Sequence, residues 1–305
     1  MASFNAHCAV DGWGRPFDAE SVLASIDADV VVLQEAWWPA PAHGAEPTAV
    51  MAERALRGTS VRVGLARGRL LGPHPSPGRG WGPLQWIGRH KRALRLDPPE
   101  RGMPISRPFS HPRPFEGAVP EFPGSACPPL SDSAFIASNG SAAHRGWSEG
   151  EWQLAVVARP AIQTRQLIDL GQLRRDVARR AALVVRVEIG GGWLNVVGTH
   201  ISHLTHGSPR QLRRLRKALS LLGGPSVVLG DMNLWGVAVD RLLPEYRRAV
   251  TGSTWPAGRP VAQLDHILVS PGIEVIDGGV VGPSGSDHRP VWARLRLQQS
   301  GEGLR

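Results

Sequence analysis

The sequence predicts a β-rich α/β fold built in layers, as opposed to a doubly wound parallel sheet. Three observations predict it. Strand candidates far outnumber helix candidates along the 305 residues. Most neighbouring strands follow one another without a helix between them, which argues against repeated βαβ units. Several of them, such as Asp29–Leu33 and Val227–Leu229, are short apolar runs that read as buried strands. There is no internal repeat and no dividing linker. A single domain over residues 1–299 is therefore expected, with an insertion at about 67–130.

The elements justify themselves in order. Ser3–His7 reads as a short strand, followed by a Gly-containing loop at Asp11–Pro16. Asp18 caps a helix through Val22, Leu23 and Ile26. Asp29–Leu33 is a buried strand closed by Gln34-Glu35. A carboxylate there is costly to bury without a partner. Glu46–Leu56 reads as a helix and Val61–Ala66 as a strand. Arg67–Leu130 is rich in Pro, Gly and Arg and lacks any sustained period, so it reads as a partly irregular insertion with one short helix near Leu84–Leu94. Its Trp81, Trp86, Arg89, Lys91, Arg92 and Arg95 mix rings with positive charge, as a polyanion grip would. A solvated loop explains the same composition.

Strand patterns return at Ala134–Ala137 and Trp152–Arg159. Ala181–Ile189 and Trp193–Thr199 form a hairpin across Gly190-Gly191-Gly192. Ser208-Pro209 opens a helix to Leu222, with Leu212, Leu215, Leu219 and Leu222 on one face and Arg/Lys on the other. After the strand Val227–Leu229 come a short helix at Val239–Tyr246 and strands at Leu264–Ser270, Ile273–Val281 and Val291–Leu297.

Composition narrows the function classes. Hydrophobic residues make up 42% of the chain, enough for a sizeable core, but no run is long enough to span a membrane. The first residues carry no signal-peptide pattern, so a cytoplasmic location and a monomer are expected. Cys8 and Cys127 alone make no disulfide framework and no zinc site of the Cys-rich kind. The formal charge of +9 favours a polyanionic partner, but only mildly. The excess is almost all Arg, in a chain also rich in Ala, Gly and Pro, which is a compositional bias in its own right.

Several strand ends carry a residue able to bind metal, move protons or hold phosphate: Asn5, Glu35, His200, Asp231 with Asn233, Asp265, and Asp287-His288. Asp231 and Asn233 are two apart, so on an extended chain they leave the strand on one side. A carboxylate holds a hard cation through oxygen, and a carboxamide offers both a donor and an acceptor. Any one of these residues is also an ordinary turn or capping residue.

Together they form a signature. F-N-A-H (Phe4–His7), V-V-V-L-Q-E (Val30–Glu35), A-V-V-A-R-P (Ala155–Pro160), Arg180 before a strand, V-G-T-H (Val197–His200), L-G-D-M-N (Leu229–Asn233), L-D-H-I-L-V-S (Leu264–Ser270) and S-D-H-R-P-V (Ser286–Val291) follow one another in this order. The chain thereby resembles the endonuclease/exonuclease/phosphatase superfamily, the group with the DNase I-like fold. The resemblance implies a four-layer α/β/β/α sandwich of α+β type, with the site at one end of two packed sheets. It implies a phosphoester hydrolase dependent on Mg²⁺ or Mn²⁺. In that reading Glu35 and Asn5 hold the metal and Asp287 is a further acid on the metal side. Asp231 orients or activates the attacking water, and Asn233 sits beside it on the phosphate. His288 acts as general base or phosphate-stabilising imidazole, oriented by Asp265. His200 stabilises or protonates the leaving oxygen, and Arg180 clamps phosphate.

The implied substrate is a phosphodiester, most simply DNA or RNA cut by a nuclease. The alternative is a small molecule or lipid headgroup, cleaved by a phosphatase or phosphodiesterase. A silent binding module stands third, because the motif residues are intact. The chain departs from the pattern in three places. His7 stands where some nucleases of the family carry a carboxylate. The one tyrosine, Tyr246, lies far from the A-V-V-A-R strand, where Trp152 takes the corresponding space. The acidic partner expected for His200 is not evident, with Glu149 and Glu151 as candidates.

Overall fold

A computed structural model describes residues 1–11, 14–40, 46–70, 94–96, 148–174 and 176–298. Among these, the strands are β1 (Ala2–Asn5), β2 (Val30–Pro39), β3 (Thr59–Leu70), β4 (Leu94–Leu96), β5 (Ser148–Ala158), β6 (Ile162–Gly171), β7 (Arg180–Ile189), β8 (Gly192–His200), β9 (Ser226–Asp231), β10 (Arg247–Arg248), β11 (Asp265–Val269), β12 (Ile273–Val280) and β13 (Val291–Leu297). The helices are α1 (Ala19–Ile26), α2 (Thr48–Leu56), α3 (Ser208–Leu219) and α4 (Gly236–Leu242). No helix among the described residues is long and apolar enough to cross a membrane.

The strands form two mixed sheets. One has the order β12-β13-β1-β2-β5-β3-β4 and the other β10-β11-β9-β8-β7-β6. Among the described residues only β1–β2 and β8–β9 pair in parallel, and both parallel pairs lie in the interior of their sheets. The unbroken apolar runs are explained by what covers each face. Val30 and Val32 of β2 point between the sheets, against Leu183, Val185, Val196, Val227 and Leu229. Val31 and Leu33 point the other way, into a cluster with Leu23 of α1 and Ala49, Ala52 and Leu56 of α2. Val228 and Val197 of the second sheet likewise pack under Leu212, Leu215 and Leu219 of α3. Each of those buried leucines contributes roughly 1.5–3 kcal/mol over an exposed one. The result is four layers, helix–sheet–sheet–helix, as expected.

Several boundaries differ from the sequence reading. β3 runs on to Leu70 and pairs with β4 through Gly68↔Leu96, so regular structure persists past residue 67, and Leu94 belongs to a strand and not to a helix. The Arg-Gly-Arg-Leu end of β3 is ordered by backbone pairing, which side-chain pattern does not report. β6 carries a Gln-Thr-Arg-Gln stretch and forms the edge of its sheet, where one side needs no partner and alternation is weak. α3 is preceded by Gly207 as its cap, Ser208 being its first residue, and it ends at Leu219. Cys8 is a buried free thiol. Cys127, the strand expected at Ala134–Ala137, the Trp81–Arg92 cluster and the helix expected over residues 84–93 lie outside the described residues.

Candidate active site

Strand parity gathers the polar residues. Successive side chains alternate between faces, so residues two apart share one. On β9, Val227 and Leu229 face the space between the sheets, and Asp231 follows them. On β11, Ile267 and Val269 do the same, and Asp265 precedes them. On β8, Leu194 and Val196 lead to His200. On β1, Ala2 and Phe4 face the helices, so Asn5 faces inward. Register completes the arrangement, because Asp231 is paired with Asp265 on one side and with His200 on the other.

Glu35 reaches this space by a different device. Parity from Leu33 would turn Glu35 toward the helices. Instead β2 slips register between Leu33 and Ala36, with Glu35 at φ 52°. Ala36 then faces the helix layer and Trp37 the inter-sheet core, so one extra residue has been inserted. Such a bulge re-aims a side chain. It places the Glu35 carboxylate with its Oε1 3.2 Å from Asn5 Nδ2. The same Nδ2 is 3.2 Å from Asp231 Oδ2, so one amide bridges two carboxylates. Asn5 is oriented by its own Oδ1, which accepts from the His7 N–H at 3.1 Å.

Asn233 takes a left-handed turn at φ 48°. Its N–H donates to Asp231 Oδ1 at 2.8 Å and its Nδ2 to the Ile201 carbonyl at 2.9 Å. His288 stands on the loop before β13. Its Nδ1 donates to Asp265 Oδ2 at 2.8 Å, and its Nε2 lies 3.8 Å from Asp231 Oδ2. Ser286 fixes that loop, donating from Oγ to the Asn5 carbonyl at 2.7 Å and accepting from the His288 N–H at 3.2 Å. Ligand-capable atoms of Asp231, Asp265 and His288 all lie within 4.8 Å of one another.

Electrostatics follow from burial and crowding. Burial raises the pKa of Asp231 to about 7, with Asp265 and Glu35 adding to the rise and His288 opposing it. For His288 burial opposes the charged ring, but Asp265, Asp231 and Asp287 outweigh it and hold the pKa well above 6.5. His7, at the position where a carboxylate was noted as missing, is buried with Nδ1 2.9 Å from the Val10 carbonyl. Its burial also works against charge, and Asp287 and Glu35 turn the balance upward. Asp287 is thus close enough to act on both imidazoles.

The His200 environment differs from expectation. No carboxylate meets its Nδ1 among the described residues. Glu149 pairs with Arg69, and Glu151 accepts from Gln153. The Trp152 ring lies against the imidazole instead, with centroids 4.9 Å apart. Burial first, then the positive charge of Arg180, drives the His200 pKa well below 6.5, so the ring is neutral. Its Nε2 faces Asp231 Oδ2 at 3.5 Å and Glu35 Oε1 at 3.9 Å. A buried neutral imidazole favours the first of the two expected roles, stabilising the leaving oxygen by hydrogen bonding from Nε2, over protonating it.

Arg180, expected to clamp phosphate, is already engaged by a carboxylate. Its guanidinium is buried, its Nε donates to Asp176 Oδ2 at 2.8 Å, and it lies 4.8 Å over the Trp152 ring. Ser202 donates to the same Asp176 carboxylate. Only Nη1 of Arg180 lacks a hydrogen-bond partner among the described residues. Sequence reading missed Asp176, Ser202 and the role of Trp152. The four-residue spacing Asp176–Arg180 was visible, but its meaning depends on burial.

The donor set fits a divalent ion. Glu35 and Asp231 converge with carboxylate oxygens of the kind hard cations take, Asn5 would add its Oδ1 by turning its amide away from the His7 N–H, and Glu35 keeps 17% of its side chain open to solvent. A cation there would relieve the mutual repulsion of the Glu35 and Asp231 carboxylates.

The profile of the Endonuclease/Exonuclease/phosphatase family matches residues 2–288. The chain belongs to that family. Endonuclease/exonuclease/phosphatase proteins hydrolyse phosphoesters, generally with a divalent metal, and the described residues of this chain carry the layered architecture of that family. No curated protein sequence is matched. Among solved structures, an endonuclease/exonuclease/phosphatase from Beutenbergia cavernae superposes with TM-score 0.58 at 18% identity, over 99% of this chain and 72% of that one. D. rerio TDP2, complexed with single-strand DNA product, gives TM-score 0.55 at 13% identity, over 97% and 98% of the two chains. A Bacteroides thetaiotaomicron mannosyl-6-phosphatase gives TM-score 0.55 at 14% identity, again over 97% and 98%. At these identities the likeness speaks for the fold alone.

Proposed function

We propose that the protein is a Mg²⁺- or Mn²⁺-dependent phosphodiesterase that cleaves nucleic acid by in-line attack of water. The observation that carries the reading is the convergence of Asn5, Glu35, His200, Asp231, Asn233 and the Asp265–His288 pair in one buried cluster between the sheets. Glu35 and Asn5 are the proposed metal ligands, with Asp287 beside them. A bound divalent ion supplies charge neutralisation on the phosphoryl oxygens. Asp231, with its pKa near 7, receives the proton of the attacking water. His288, held cationic by its carboxylate neighbours, donates from Nε2 to a phosphoryl oxygen. His200 stabilises the leaving oxygen by a hydrogen bond from Nε2–H, that oxygen takes its proton from solvent as product departs, and Asn233 orients the water and phosphate beside Asp231. Arg180 adds positive potential behind His200, with Nη1 as its remaining donor.

Nucleic acid is favoured by the net charge of +9 and by Trp235. That ring is 59% exposed and only two residues past Asn233, where a base could stack on it. The likeness to TDP2 bound to a DNA product supports the same reading. The likeness to a mannosyl-6-phosphatase supports the second, hydrolysis of a small-molecule or lipid-headgroup phosphate by the same groups.

The test is a substrate panel with Mg²⁺ or Mn²⁺, run beside Glu35→Ala: plasmid, single-stranded DNA, RNA, bis-(p-nitrophenyl) phosphate, sugar phosphates and phospholipid headgroups. Metal-dependent nicking of nucleic acid that is lost in Glu35→Ala is the expected result. Untouched nucleic acid with cleaved sugar phosphate or headgroup selects the second reading. No turnover of any member, with binding altered by Glu35→Ala, selects a silent binding module.

A further inference from the structure

The contact between Asp265 and His288 joins two segments that are 23 residues apart, and one buried residue outside the family signature bonds to both, to one through its side chain and to the other through its backbone. Thr254 is fully buried. Its Oγ1 accepts from the N–H groups of Leu264 at 3.1 Å and Asp265 at 3.2 Å, where β11 begins. Its carbonyl accepts from the Arg289 N–H at 2.9 Å, one residue past His288. Its own N–H donates to the Ala262 carbonyl at 2.8 Å, closing the loop that leads back to Asp265. The Ala257 N–H adds a bond to the Asp287 carbonyl at 2.7 Å, and Arg289 Nε donates to the Ala257 carbonyl at the same distance. Residues 254–257 therefore brace the chain on both sides of His288 and at the start of Asp265.

We propose that Thr254 is a positioning residue that sets the alignment of the Asp265–His288 pair. A neutral hydroxyl accepting two backbone N–H groups fixes where the Asp265 Cα sits. The carbonyl of the same residue fixes the approach of His288. Removing the hydroxyl leaves two buried N–H groups without an acceptor, and β11 must shift or admit water to satisfy them. Misplacement of such a pair by about 1 Å is enough to cost on the order of 100-fold in rate.

The test compares Thr254→Val, Thr254→Ser and Thr48→Val. Thr48 is a control with the same burial and one comparable bond, accepting from the Trp37 N–H at 3.1 Å, but it does not touch the pair. The first readout is the proton NMR signal of His288 Nδ1–H, assigned by its loss in His288→Gln. It is expected to move or broaden in Thr254→Val and to stay in Thr254→Ser and Thr48→Val. The second rests on the phosphoester reading above: kcat on bis-(p-nitrophenyl) phosphate falls roughly 10- to 100-fold in Thr254→Val with KM within about twofold, and Thr254→Ser restores it. If Thr254→Val does not fold, Thr254→Cys, similar in size with a weaker acceptor, is expected to give a partial change in the same direction. Thr254→Val and Thr48→Val losing thermal stability alike, with the His288 signal and kcat unmoved, would overturn the proposal. Wild-type protein inert toward every phosphoester overturns the functional reading instead, and the NMR signal still decides the role of Thr254.

Discussion

His288 Nδ1 and Asp265 Oδ2 stand 2.8 Å apart, and this contact fixes which nitrogen of the imidazole faces the cluster. With Nδ1–H committed to Asp265, Nε2 is left facing Asp231 at 3.8 Å. Asp265→Asn keeps the shape but cannot hold the same tautomer or stabilise the charged ring. Its kcat on a cleavable phosphodiester is expected to fall by roughly 10²- to 10⁴-fold, with folding retained by circular dichroism.

Glu35 and Asp231 face each other across the Asn5 amide, and a bound divalent ion would be held at that point. An ion that binds only the folded state raises its stability in proportion to occupancy. Millimolar Mg²⁺ or Mn²⁺ is therefore expected to raise the melting temperature of the wild type, and EDTA to reverse it. Glu35→Ala is expected to lose the metal-induced rise while melting no lower than wild type in EDTA. An equal rise in both proteins, seen by scanning calorimetry, would place the ion elsewhere.

Asp176 carries a pH dependence whose sign can be worked out. Burial pushes its pKa up, but Arg180 and the Ser202 hydroxyl outweigh burial and hold it below 3.8 in the fold. The folded pKa is thus depressed, so this contribution is fully present above the unfolded value near 3.8. It is lost as pH falls through the folded value. Urea midpoints should therefore drop more steeply below pH 4 in wild type than in Asp176→Asn. At pH 7 Asp176→Asn is expected to be less stable by about 3 kcal/mol, because Arg180 is left buried without its counter-charge.

Gly230 precedes Asp231 and has φ 156°. A Cβ built there would lie 1.9 Å from the Thr199 carbonyl oxygen of the neighbouring strand. Gly230→Ala must therefore push β8 and β9 apart where His200 and Asp231 are paired. A loss of at least about 2 kcal/mol in urea unfolding is expected, with activity falling further than stability accounts for.

The sequence by itself determined the layered fold, because strand patterns outnumber helical ones and most follow one another with no helix between them. It also determined the residues of the cluster, whose types and order along the chain carry the family signature. Once the two sheets are stacked, strand parity turns Asn5 from one and His200, Asp231 and Asp265 from the other into the space between them. What only the tertiary structure decided lies where period-2 reasoning breaks or where a partner comes from far along the chain. Glu35 enters the site through a bulge that adds one residue to β2 and cannot be counted from the apolar pattern. Trp152 replaces the acid sought for His200, because the strand that passes that imidazole presents a ring there. Arg180 is held by Asp176, which Ser202 holds in turn, and is not exposed, since those three come together only when β7 and the chain after β8 pack together. Nothing in the sequence singles out Thr254, because its partners, backbone groups at Leu264, Asp265 and Arg289, leave no mark on side-chain pattern.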